Sequence, residues 1–223
     1  MSGASFRRAL RVATLCVVAV LALAACGWSE NKPKFQTLDI TGVDWGKDFH
    51  LVDVNGTPRS LADYRGKLVM LFFGYTNCPD ACPTTLAKMA QAVDRLGAHG
   101  QRVQGLLVTL DPARDTPAVL TQYVPAFHPN FVGLSADNAT VAATAKDFKI
   151  FYQLQKPDVN GFYTVDHSTA LFVFDSRGRL RLFMGASVSV DAIVHDLTLL
   201  LSEPSASDQQ ATRAGTRIST NAP

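Results

Sequence analysis

The apolar residues of this 223-residue chain fall into runs and stripes that predict most of its elements. Residues 67–73 (KLVMLFF) form a continuous apolar run of strand length, as in a central strand covered on both faces. Residues 103–110 (VQGLLVTL) form a second such run. Between them, Leu86, Met89, Ala90, Val93 and Leu96 recur at spacings of three, four and seven. That spacing predicts a helix starting near Ala81 or Cys82, after a loop over 74–80. Upstream, 49–54 and 59–61 flank Asn55-Gly56, a strong hairpin signal. Downstream, Asp115-Thr116-Pro117 opens a short helix to about residue 126, with a capping side chain just before proline. A strand over 131–134 and a helix over 141–148 follow, then residues 151–156 as an edge strand with no evident partner. Residues 170–174 and 180–184, joined around Arg177-Gly178, form a last hairpin, and a helix over 190–201 closes the series.

Strand, helix, strand, helix, then two antiparallel strands and a helix is the order of a thioredoxin-like α/β fold. A central mixed sheet flanked by helices is expected, with an N-terminal β-hairpin. Met70, Met89 and Met184 are spaced as core residues. No internal repeat is present, and the folded domain is expected over 35–201. Residues 202–223 are rich in Ser, Ala, Thr and Gln without apolar periodicity, which predicts a disordered tail.

Composition changes the picture mainly at the N-terminus. The chain is 47% hydrophobic and 18% charged, as expected of a globular protein. Its net charge of +2 includes Arg7, Arg8 and Arg11, and taking those three away leaves −1. A domain so close to neutrality gives no electrostatic reason for a nucleic-acid partner. The arginines precede an apolar run over 12–25, shorter than the ~20 residues a membrane-crossing helix needs. Charged start, apolar run and small residues describe a secretory signal over 1–25. Leu23-Ala24-Ala25-Cys26 looks like a bacterial lipobox, in which Cys26 would become the lipidated first residue. A plain signal peptide cut nearby, or an uncleaved anchor, is the other reading. A polar tether over 26–34 then joins the anchor to the domain. Every version puts the domain outside the cytoplasm, on the extracytoplasmic face of a bacterial envelope.

Cysteine usage follows from that placement. Cys16 lies in the signal and Cys26 at the lipid site, so Cys78 and Cys82 remain for the folded domain. Two thiols in an oxidising compartment pair unless something keeps them reduced or occupies them. Cys78-Pro79-Asp80-Ala81-Cys82 is a Cys-x-x-x-Cys motif at a helix N-terminus, and residues four apart share one helix face. The positive end of the helix dipole favours thiolate there, the species that soft metals and thiol exchange both require. A stapling disulfide is the bland reading, but a bridge over so short a loop removes little unfolded-state entropy. Thioredoxin-type exchange enzymes use Cys-x-x-Cys and place a cis-proline before the strand facing the motif. Here that place holds Asp166-His167-Ser168-Thr169. A peroxiredoxin would need a threonine three residues before its reactive cysteine, where this chain has Tyr75 and Pro79.

In a thioredoxin-like fold the start of that facing strand lies beside the first helix's N-terminus, so the His167 imidazole can reach both sulfurs. Two thiolates and an imidazole suit Cu(I), and the nitrogen helps hold Cu(II). A structural zinc site would usually need a fourth ligand. Taken alone, one histidine before a strand is as readily a turn or surface residue. His50, His99, His128 and His195 are read as solvated, and Tyr75 and Asn77 as shaping the motif loop.

The stretches FFGYTNCPDACPTTL, VTLDPARDTPAVL and YTVDHSTALFVFD together resemble the Sco/SenC family. These copper-binding, thioredoxin-like proteins assist assembly of the dinuclear copper centre of cytochrome c oxidase. The resemblance covers most of the core and implies that Cys78, Cys82 and His167 are copper ligands. It makes Asp111 a carboxylate beside the ligands or facing a partner, with a turn residue before Pro112 as the plainer reading. The implied function is a metallochaperone, not an enzyme, that passes copper to the copper-bearing oxidase subunit. A thiol–disulfide oxidoreductase cycling Cys78 and Cys82 is the alternative, and either needs a thiol reductant protein to keep the pair reduced.

Overall fold

A computed structural model of the chain describes residues 34–204. The expected signal segment, Cys16, Cys26, most of the tether and residues 205–223 lie outside the described residues. The first turn of structure is the short strand β1 (Leu38–Asp39). The predicted hairpin follows as β2 (Leu51–Asp53) and β3 (Pro58–Arg59), antiparallel with Leu51 opposite Arg59. A 3₁₀ turn, Leu61–Tyr64, leads into β4 (Leu68–Gly74). Helix α1 (Ala81–Arg95) and a 3₁₀ segment, Gly97–Arg102, connect β4 to β5 (Val103–Thr109). Then come α2 (Pro117–Tyr123), β6 (Val132–Ser135), α3 (Asn138–Asp147), β7 (Tyr152–Leu154), β8 (Val165–His167), β9 (Leu171–Phe174), β10 (Leu180–Met184) and α4 (Val190–Ser202).

Eight strands form one mixed sheet in the order β1-β10-β9-β4-β5-β6-β2-β3. β4 runs parallel to β5, and β5 to β6, while β9 is antiparallel to β4. All seven residues of β4 and all seven of β5 are buried, which is why both read as unbroken apolar runs. Side chains alternate across the sheet, so Phe72 and Gly74 face one side and Phe73 the other. Gly74 lies against the Cys82 sulfur and hence under α1. On the opposite face Phe73 meets Phe148, just past α3, with ring centroids 5.2 Å apart. Phe148 also packs on Phe172 and Phe174, so a cluster of aromatic rings fills this side. Met70, Met89 and Met184 are all buried, as their spacing predicts.

Three expectations need correction. Residues 151–156 are not a partnerless edge: β7 pairs antiparallel with β8 in a separate two-stranded sheet, Tyr152 opposite His167. Three-residue strands with no clean alternation left that pairing invisible in the sequence. The ordered domain does not stop at residue 201 either, because α4 runs through Ser202 and the Glu203 carboxylate takes two bonds from Arg181, at 2.6 and 2.7 Å. Finally, the helix expected to reach residue 126 ends at Tyr123. Among the described residues, no helix is long and apolar enough to cross a membrane.

Candidate metal centre

The centre is built where β4 ends. The loop after Gly74 turns into α1, whose first N–H groups have no partner within the helix. Asp80 precedes the helix but supplies no side-chain cap; instead the Cys82 N–H donates to the Cys78 Sγ at 3.4 Å. Burial works against charge on Cys78, but the N–H groups of Cys82, Asp80 and Ala81 outweigh it and hold this thiol below its ordinary pKa. Cys82 is fully buried, and burial pushes its thiol well above the ordinary value. Both thiols are free.

Gly74 makes room for the second sulfur. A β-carbon there would sit 2.9 Å from the Cys82 Sγ and 2.8 Å from the Phe72 ring. Only a residue without a side chain lets the sulfur lie so close to the sheet.

His167 arrives from the other side, at the end of β8. Its Nε2 lies 3.4 Å from the Cys82 Sγ, although 85 positions separate the two residues. Its Nδ1 is 3.0 Å from the Ser168 carbonyl, and a carbonyl can only accept. Nδ1 therefore carries the proton and Nε2 turns a lone pair toward the sulfurs, the arrangement that holds a ligating imidazole in one tautomer. Burial keeps the ring below its ordinary pKa, against the opposing bond to Ser168, so it is neutral at pH 7. Phe72 and Tyr75 meet the imidazole edge-on at 6.2 and 5.9 Å. The donor atoms of Cys78, Cys82 and His167 all lie within 4.8 Å of one another. Cys82 is sealed from solvent, while Cys78 and His167 are half-exposed and open the cluster to the surface.

Asp111 is not part of this cluster. It is 1% exposed, so its carboxylate faces the interior: it pairs with Arg114 and accepts from the Tyr163 hydroxyl at 2.9 Å. Tyr75 is buried beside the imidazole, whereas Asn77 is exposed and only accepts from the Thr76 hydroxyl. His50 and His99 are exposed as expected. His128 departs from that reading: it is mostly covered, with its Nε2 3.6 Å from Asp94. His195 is partly covered beside Asp196. Sequence reasoning missed Gly74, and it missed Asp115, which reads as a helix-start residue. Thr116 does the capping, accepting from the Val119 N–H, while the buried Asp115 carboxylate reaches back to Thr76 in the cysteine loop. An aspartate just before a Thr-Pro helix start, where one capping residue suffices, was the signal available.

The fold and its donors define a class: a thioredoxin-like α/β domain with two thiols and one imidazole gathered at the N-terminus of its first long helix. The SCO1/SenC family model matches residues 39–202, and the chain belongs to that family. The mitochondrial SCO2 homolog of Mus musculus is 32% identical over 209 residues, covering 88% of this chain and 82% of the mouse protein. Among solved structures, apo Sco1 from Thermus thermophilus is 38% identical, with a TM-score of 0.68 over 76% of this chain and 99% of that one. Yeast Sco1 with copper bound is 30% identical, with a TM-score of 0.67 over 76% and 94% of the respective chains.

Proposed function

We propose that this chain is a copper carrier that holds the ion through Cys78, Cys82 and His167 and hands it to the copper-bearing subunit of cytochrome c oxidase. The observation that carries the reading is the convergence of three donors from distant parts of the chain at one half-open mouth. Their chemistry fits the cargo: two thiolates select Cu(I), and the imidazole adds the nitrogen that Cu(II) favours. Family membership and a yeast relative solved with copper bound support copper as that cargo. Copper displaces the thiol protons on binding, and Cys82, whose proton is held most tightly, depends most on the ion to become a thiolate. Transfer proceeds by ligand exchange, each donor being replaced by one from the acceptor before the next is released.

Copper and a Cys78–Cys82 disulfide exclude each other, because the bridge consumes both sulfurs. Forming it removes two protons and two electrons from the thiols, and an outside dithiol protein must return them. The alternative, that the chain reduces its partner's cysteines, is favoured by a half-exposed Cys78 backed by the buried Cys82. Cu(I) titration of the full chain against a competing chelator tests the reading. One equivalent should bind the reduced protein and none the oxidised form; equal uptake by both would place the site elsewhere. His167→Ala separates the two functions. Weakened copper binding with thiol exchange intact supports the carrier, and an unchanged phenotype supports the reductase.

The localisation reading rests on sequence. Cys26 is the lipidated mature N-terminus, tethering the domain to the extracytoplasmic face of a bacterial membrane. Cys26→Ala should move the protein to the soluble fraction, and retention in the membrane would mark residues 12–25 as an uncleaved anchor.

A further inference from the structure

Residues 110–116 (LDPARDT), between β5 and α2, supply none of the three donors yet grip both elements that do. On the sulfur side, the Asp115 carboxylate, 1% exposed, accepts from the Thr76 N–H at 3.1 Å and from the Thr76 hydroxyl at 2.5 Å. Thr109 donates to the same carboxylate at 2.6 Å, tying it to the end of β5. Thr76 stands two positions before Cys78, so this bond fixes the start of the cysteine loop.

On the imidazole side the grip falls on Tyr163, in the connection between β7 and β8 and four positions before His167. Arg114 donates to the Tyr163 carbonyl at 2.8 Å, and its guanidinium lies 3.5 Å from the centre of the Tyr163 ring. The Tyr163 hydroxyl donates to Asp111, which also pairs with Arg114, so the three side chains close on one another. Arg114 also lies 5.8 Å from the centre of the Tyr75 ring, the ring that meets the imidazole edge-on. The tie matters because a lone two-stranded hairpin is at best marginally stable in water.

We propose that residues 111–115 act as a spacer that sets the distance between the sulfurs and the imidazole. Asp115 positions the cysteine loop, while Asp111 and Arg114, through Tyr163, position His167. The role builds on the copper reading above, since it is the three-donor site whose geometry the spacer sets. It also orders the release of donors. Beyond the buried Val165, the strand that carries the imidazole relies on the clamp at Tyr163, so the imidazole is the donor most easily withdrawn, leaving the ion on two thiolates. Arg114 and Asp111 are positioning residues and touch no donor atom.

The test uses the full chain with Tyr163→Leu, which removes both the hydroxyl and the ring from the clamp. Tyr163→Phe removes the hydroxyl alone. Tyr163→Leu should weaken Cu(II) binding by about 10- to 100-fold, the usual cost of losing a partner that orients a ligand. It should also reduce the nitrogen coupling in the Cu(II) electron paramagnetic resonance spectrum and weaken Cu(I) binding less than Cu(II) binding, since two thiolates still hold Cu(I). Without copper, the amides of β7 and β8 should exchange hydrogen faster while those of β4 and β5 do not. Tyr163→Phe should fall between, and it carries the test if the leucine variant does not fold. Thr76→Val, which acts on the sulfur side, should weaken Cu(I) and Cu(II) binding together. Wild-type Cu(II) affinity and wild-type hairpin exchange in Tyr163→Leu would overturn the spacer role. So would equal loss of both oxidation states, which marks general destabilisation. If the unmodified chain binds no copper but Tyr163→Leu still frees the hairpin, the copper reading falls and the clamp stands.

Discussion

Cys82 sits at the start of α1 with its sulfur pressed toward Gly74, where two neighbouring strands bury every residue they contain. His167 ends a three-residue strand in a sheet of only two strands. Around it, Phe151, Leu154, Val159 and Phe162 leave much of their apolar surface in water, Val159 all of it. The sulfur side is thus made of core, and moving it would cost the packing of the central sheet. The imidazole side is anchored by the buried Val165, the Tyr163 clamp and two ring edges, but it lies outside the central sheet and leaves more apolar surface in water, the marks of a region that opens locally at lower free energy. The difference suits a carrier. A site equally rigid on both sides would retain its ion, and one equally loose would not select it.

The largest test of this asymmetry removes a donor from the rigid side. Cys82→Ala should lower Cu(I) affinity by more than the ~100-fold ceiling usual for partners outside the ligand set, read by chelator competition. A smaller loss would mean that Cys78 and His167 suffice. Gly74→Ala comes next, because the new methyl group must displace either the Cys82 sulfur or the Phe72 ring. We expect a loss of roughly 1–3 kcal/mol in denaturant unfolding, typical of overpacking, together with weaker Cu(I) binding. Wild-type values for both would show that the sulfur side yields more readily than its burial implies.

A third variant separates overall stability from the site. Asp175 follows β9, at the end of that strand away from His167. Burial opposes its charge, but Arg179 and the N–H groups of Arg179 and Arg177 outweigh it and hold the carboxyl below its ordinary pKa. A depressed carboxyl stabilises the fold above its unfolded pKa of about 3.9, and that contribution is lost as pH falls through the lower folded value. Asp175→Asn should therefore cost about 1–3 kcal/mol at neutral pH and flatten the acid-unfolding limb, with copper affinity unchanged. A parallel loss of affinity would show that the site follows global stability. The smallest effect belongs to the imidazole side: Val159→Ser should change unfolding free energy by no more than about 0.5 kcal/mol, as usual for an exposed position. A larger loss would reveal packing that the exposure of Val159 denies.

The sequence was most legible where local chemistry and burial agree. The runs at 67–73 and 103–110 declare buried central strands because packed layers cover both faces of the sheet, and the Asn-Gly hairpin and Thr-Pro helix start carry their signals in two or three residues. The cysteine pair was legible from its short spacing ahead of a helix, although Cys78 stands in the loop before α1 and is held there by the Cys82 N–H, not by a shared helix face. The approach of His167 could be expected only by assuming the fold, because nothing near residue 167 specifies contact with residue 82. The pairing of β7 with β8, the use of Asp115 on Thr76 and the clamp of Tyr163 by Asp111 and Arg114 left no local pattern either. Each joins positions 11 to 52 residues apart through a few bonds, too few to impose a periodicity on the chain. By itself, then, the sequence determined the elements, the two sulfurs and the class of ion they suit. The tertiary structure decided which imidazole meets them, how far away it stands and what holds it there, because those are distances between elements, and local propensity carries no information about distance.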